Sequence, residues 1–176
     1  MPKLPTGPGD KILEQLRRAR KSDLTQKTVE SSQQYLTFRL GNEWYALMVS
    51  HLAEVLPLPK ITRVPSVPAY LLGVINLRGE VLSVIDLKRF FEVPESTRTA
   101  EPIIVVIEHG EVRTGLLVEE IGDLIRLSPG GLTEEPLLLG KTQRAFFDGA
   151  TRWGDVLVSI VNLDGLLQSE GLYSPG

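Results

Sequence analysis

The chain has 176 residues, 42% of them hydrophobic and 23% charged, which suits one soluble globular domain or two small subdomains sharing a core. Its net charge of −3 excludes a nucleic-acid binder built on positive field. The absence of cysteine removes disulfides, thiolate catalysis and zinc–thiolate sites together.

The opening MPKLPTGPGDK lacks the apolar core of a secretory signal, and no apolar run reaches membrane-spanning length, so a cytoplasmic location is expected. Residues 1–9 are rich in Pro and Gly and read as a tether. Asp10 caps a predicted helix over 10–21. Ile12, Leu13, Leu16 and Ala19 share one face, and Arg17, Arg18, Arg20 and Lys21 crowd the C-terminal half. So short a helix is marginal alone and is expected to form fully only when docked. Residues 22–34 are polar and read as a linker, which makes 1–34 an N-terminal extension.

The folded body begins near Gln34. Residues 35–40 alternate, turn at Gly41 and Asn42, and return as 44–49, a predicted β-hairpin. Leu52, Val55 and Leu56 continue into Pro57 and Pro59, which stop any central strand. Residues 61–68 are extended and punctuated by Pro65 and Pro68. The stretch 73–91, GVINLRGEVLSVIDLKRFF, then reads as two β-branched strands joined at Arg78-Gly79-Glu80, handing over to a short turn or helix. Arg78 is the long charged side chain this apolar stretch cannot easily hide. Residues 94–102 have no apolar periodicity and form a loop.

After that loop the pattern starts again. Residues 103–108 and 112–118 form a second hairpin around Gly110. Ala46-Leu47-Met48-Val49 aligns with Gly115-Leu116-Leu117-Val118, and Leu52 to Leu56 falls on Ile121 to Ile125. Further on, Ser83-Val84-Ile85-Asp86-Leu87 matches Ser159-Ile160-Val161-Asn162-Leu163, each followed by two apolar residues. Both halves therefore read as copies of one unit of about five short strands, suited to a small closed or half-closed barrel. A unit of about 60–70 residues has too little core alone, and two packed together create a groove between them. Asp86 and Asn162 occupy matching positions, so their shared job is to cap the turn after the strand.

An enzyme finds little support. Of the two histidines, His51 follows a strand and His109 sits in a hairpin turn, where a side chain is ordinarily just solvated. Glu119-Glu120 and Glu134-Glu135 are adjacent pairs, and neighbours on a strand face opposite sides. No nucleotide, hydrolase or zinc-protease motif is present in the sequence. A small-molecule-binding β-barrel is the alternative, weakened because five-stranded barrels fill their interiors with side chains.

The stretch 73–91, the preceding Ile61-Thr62-Arg63-Val64-Pro65 and Tyr70-Leu71-Leu72-Gly73, and GLLVEEI in the second half resemble the CheW-like chemotaxis adaptor proteins over residues 35–168. The resemblance implies an all-β fold of two SH3-like five-stranded β-barrels packed side by side, here with an N-terminal helical extension. The expected subdomains span about 35–93 and 103–168, with a tail at 169–176. It implies no catalysis, no cofactor and no metal. Its partners would be the regulatory domain of a CheA-type histidine kinase and the cytoplasmic tip of methyl-accepting receptors, with no membrane insertion. Carried over position by position, it implies receptor-binding roles for Arg78, Glu54, Val49, Leu52 and Ile61, and partner contact for Ile103 and Ile104. Ser83 stands where the family usually has Pro, a change expected to loosen that strand. Relatives serving pilus twitching or phototaxis share this core, so the output organelle stays open.

Overall fold

The computed structural model describes residues 15–18 and 32–169. Among the described residues ten strands form two five-stranded sheets. In chain order they are β1 (Gln33–Leu40), β2 (Glu43–Met48), β3 (Leu52–Pro57), β4 (Leu71–Leu77), β5 (Glu80–Asp86), β6 (Ile103–His109), β7 (Val112–Val118), β8 (Glu120–Leu127), β9 (Phe147–Trp153) and β10 (Val156–Val161). Short helices α1 (Leu87–Phe90) and α2 (Leu163–Leu167) follow β5 and β10. The order is β8-β1-β2-β10-β9 in the first sheet and β3-β6-β7-β5-β4 in the second.

These two orders are the same pattern written in the two copies, which bears out the repeat. They also overturn the expected division at about residue 93. Each sheet takes a hairpin from one half and three strands from the other: β1 and β2 join β8, β9 and β10, while β6 and β7 join β3, β4 and β5. The cause lies in two crossings. After β2 the 3-10 turn Val49–His51 carries the chain into the other sheet, where β3 pairs with β6. After β7 the chain returns at Glu119, and β8 pairs with β1. Parallel pairs β2–β10 and β5–β7 close each unit, and such pairs need long connections. A repeat read from one sequence reveals the equivalent strands without revealing that the copies exchange them.

The apolar runs that look continuous in sequence are strands buried on both faces. All five strands of the first sheet send side chains into one cluster that includes Tyr35, Trp44, Ile125, Trp153 and Val158. The second sheet does the same with Ile75, Leu82, Ile104, Leu117 and Leu56. These clusters are the barrel interiors, and side chains fill them. The alternate residues, such as Phe38, Tyr45, Leu47, Val105, Ile107 and Leu116, face the seam between the sheets and form the largest core. Tyr45 stacks on Phe38 and Phe91 there, with ring centres 5.9 and 5.3 Å apart. The groove expected between barrels is therefore mostly packed shut.

Leu16 joins that seam core with 4% of its surface exposed, on a helical turn at residues 15–18. The predicted helix thus docks, at least here, on this chain's own body; the rest of the range 10–21 lies outside the described residues. The capping role holds in both copies: the Asp86 carboxylate accepts from Lys88 and Arg89 backbone N–H, and the Asn162 side chain accepts from Gly165. The strand β5 lies inside the sheet, and the Ser83 hydroxyl is 2.8 Å from that of Thr114 on β7.

Charge is buried at one place the sequence does not advertise. Arg39 on β1 is fully enclosed; its Nε lies 2.8 Å from Glu120, and its other nitrogens donate to the carbonyls of Gly41 and Thr99. A buried guanidinium needs such complete pairing. The result pins the 94–102 loop and the second crossing to the first hairpin.

Candidate functional site

The two-residue turn Arg78-Gly79 joins β4 to β5, with Leu77 opposite Glu80. Both turn residues have positive φ, 51° and 85°, the arrangement that matches strand twist in a tight hairpin. Gly79 takes it freely and Arg78 does so as a non-glycine residue. The Asn76 side chain braces the turn by accepting from the Gly79 N–H at 2.9 Å. This places the Arg78 side chain at the tip, 66% exposed.

Its guanidinium is engaged by this chain. Arg78 Nη1 donates to Glu54 Oε2 at 2.9 Å, and Nη2 donates to Glu54 Oε1, a two-point grip on one carboxylate. Glu54 stands on β3, and its side chain is largely covered. The hydrogen bond from Arg78 is the main reason its carboxyl is held below the usual range; burial opposes this, and the charges of Arg78 and Arg113 assist. Arg113 on β7 is paired with Glu80 and lies 3.1 Å from Glu108. Beside the pair, Val81 leaves 65% of its surface in solvent. The tip is thus a patch of paired charges with an apolar side chain at its edge.

The structure brings Arg78 and Glu54 together and separates them from the other residues assigned to the same role. Val49 and Leu52 are 3% and 1% exposed and belong to the seam core. They cannot line a surface groove as side chains. Val49 points inward from the 3-10 turn, and Leu52 is buried at the start of β3, where a register irregularity between Leu52 and Glu54 breaks the alternation that would put both on one face. Ile61 is half-buried against the interior of the second barrel. Ile104 is fully buried in that same interior, so a partner cannot reach it, while Ile103 is half-buried against the seam. Strand alternation separates these two neighbours, which adjacency in sequence had grouped together.

Two features escaped the sequence reading. Arg113 reaches the tip from β7, and no local pattern flags it, because only sheet pairing brings it to Glu80 and Val81, which follow the turn in sequence. The histidines also meet. His51 Nδ1 is 3.4 Å from His109 Nδ1, and His109 Nε2 contacts the Asp164 carboxylate of α2. This contact ties the first crossing to a hairpin of one sheet and a helix following the other. Among the described residues no group of three or more His, Cys, Asp or Glu is arranged to hold a metal ion. No described helix is long and apolar enough to cross a membrane.

Comparison with known proteins gives a consistent result. A family model described as the CheW-like domain matches residues 34–171. Chemotaxis protein CheW of Bacillus subtilis is 28% identical over 146 residues, covering 83% of this chain and 94% of that protein. Protein PilI of Pseudomonas aeruginosa is 33% identical over 84 residues, 48% of this chain and 47% of that protein. Among solved structures, the scaffolding protein TtCheW of Thermoanaerobacter tengcongensis superposes with a TM-score of 0.70 at 28% identity, covering 79% of this chain and 90% of that one.

Proposed function

This chain belongs to the CheW-like domain family, and from that premise we propose that it is a non-catalytic adaptor coupling methyl-accepting receptors to a CheA-type histidine kinase. The observation that carries the reading is the family match, which runs through all ten strands of both sheets. Residues 35–168 act in this reading as one unit, since neither half holds a complete sheet. The likeness to a chemotaxis protein and to a Pil-named protein leaves flagellar and pilus-based outputs both within its scope.

Arg78 is the residue on which we place receptor recognition. A guanidinium carries five N–H donors in one plane, and Glu54 engages only part of them. Glu54 fixes the orientation, so a carboxylate on a receptor helix meets a donor set already aimed. Pre-alignment of this kind removes ordering cost from binding. Val81 supplies apolar contact beside it, and Ile61 and Ile103 are the remaining members of the proposed contact set that offer surface. Val49 and Leu52 act from beneath, by setting the position of β3. The kinase regulatory domain then binds elsewhere on the same body, and no bond is made or broken.

The reading is tested by mixing the purified chain with a receptor signalling domain and a kinase regulatory domain and following the mixture by size-exclusion chromatography. A three-component peak is expected, and recovery of the chain in neither partner's peak would overturn the adaptor assignment.

A further inference from the structure

The hairpin that carries Arg78 at its tip opens at its other end onto a cleft of about 440 Å³. Seven-residue strands β4 and β5 separate the two ends, which sets them roughly 20 Å apart. The cleft lies where α1 and the segment before β4 face the segment before β9, at one end of the otherwise filled seam. Its floor is aromatic. Tyr70 stacks on Phe90 with ring centres 5.0 Å apart and planes within 15°, and Phe90 meets Phe146 at 4.9 Å.

Its rim is charged, and the two signs are not equally available. The Glu92 carboxylate accepts the backbone N–H of Lys141 at 2.6 Å. Asp86, behind Arg89, has its carboxylate directed at the backbone N–H groups of α1. Both acids accept backbone N–H groups, and two cations, Lys141 and the exposed Arg89, line the cleft with one acid, Glu92. Arg89 spends one nitrogen on the Ala69 carbonyl at 3.3 Å and another on Asp86 at 3.4 Å, and keeps further donors. An aromatic floor under a donor-rich, cationic rim complements an apolar group that travels with a negative charge. The cleft is open to solvent along its mouth, unlike the enclosed pockets that bury most of a small ligand.

We propose that this cleft is a docking site for a peptide segment of a partner protein that inserts an aromatic side chain over Tyr70, Phe90 and Phe146 and sets an adjacent carboxylate against Arg89 and Lys141. The site is separate from the Arg78 tip, so both can be occupied on one molecule, and it stands whether or not the partner at the tip is a receptor.

The test uses the full chain, isotopically labelled, titrated in NMR with an acetylated, amidated Gly-Ser-Glu-Phe-Glu-Ser-Gly peptide and with its Gly-Ser-Lys-Phe-Lys-Ser-Gly counterpart. The acidic peptide is expected to shift the amides of Tyr70, Phe90 and Phe146, and the basic one to bind about tenfold more weakly. Phe90→Ala should abolish the shifts. Lys141→Glu, an exposed change that does not threaten folding, should narrow or invert the preference between peptides, and Arg78→Glu should leave it untouched. Absence of shifts, equal binding of both peptides, or a preference unchanged by Lys141→Glu would overturn the proposal. So would binding that appears only after truncation at Ser169, which would make the occupant a part of this chain.

Discussion

The guanidinium of Arg78 holds both oxygens of the Glu54 carboxylate, and the two residues belong to opposite edges of one sheet. Glu54 lies on β3, the first edge strand of the second sheet, and Arg78 caps β4, the last. The ion pair therefore closes the gap that backbone hydrogen bonds leave open. One contact fixes the barrel's mouth and, at the same time, fixes the direction in which Arg78 faces solvent.

The state of Glu54 gives the pair a defined acid response. Its folded carboxyl titrates below the usual range, so its contribution is present above about pH 4.3, the ordinary value, and fades as pH falls through the folded one. Glu54→Gln should therefore lower the melting temperature slightly at neutral pH. The difference from wild type should vanish in acid, as measured by thermal unfolding followed by circular dichroism.

Asp86 has the opposite sign. Burial pushes its carboxyl up, and the Arg89 backbone N–H, the Arg89 and Lys88 charges and the Lys88 N–H offset this only in part. A folded value above the unfolded one means that ionised Asp86 costs stability at neutral pH, and the cost disappears as pH falls through the folded value. Asn162 does the same capping without charge. Asp86→Asn is thus expected to raise the melting temperature near pH 7, with a gain that shrinks toward about pH 4.

Leu16 anchors the helical turn at residues 15–18. Its side chain is buried with Phe38, Leu47 and Phe146 in the seam cluster, so Leu16→Ala leaves a void there. A loss of about 2–4 kcal/mol in denaturant unfolding is expected. A loss near zero would show that the helical turn contributes nothing to the body.

Gly73 and Gly149 are equivalent in the two copies, with φ of 147° and 148°, and each precedes a residue bridged to an outer segment, Val74 to Thr62 and Ala150 to Glu134. Their surroundings differ. A Cβ at Gly73 would sit 2.1 Å from the Thr62 carbonyl oxygen, against 3.1 Å from the Leu132 side chain at Gly149. Gly73→Ala should destabilise the protein more than Gly149→Ala, and should break the Thr62–Val74 bridge, as read by amide hydrogen exchange.

Much of this was legible in the residues and some was not. The repeat, its strands, both hairpins and the Asp86/Asn162 caps follow from local patterns, because alternation, turn glycines and capping residues act over a few positions. The exchange of hairpins between halves was invisible, since it depends on where the chain goes after Val49 and after Val118. The same limit explains the contact residues. Sequence position alone could not tell Leu52, turned into the core, from Glu54, turned toward Arg78. Nor could it show that Arg39 is the enclosed arginine while Arg78 is the exposed one.

The proposed receptor coupling requires Arg78 to be a recognition group rather than a surface charge held by its neighbour. Isothermal titration of a receptor signalling domain into wild type and Arg78→Glu, with circular dichroism of both proteins, tests this most directly. Unchanged secondary structure with binding weakened at least about tenfold is the predicted result. Equal affinity for the two proteins would contradict it.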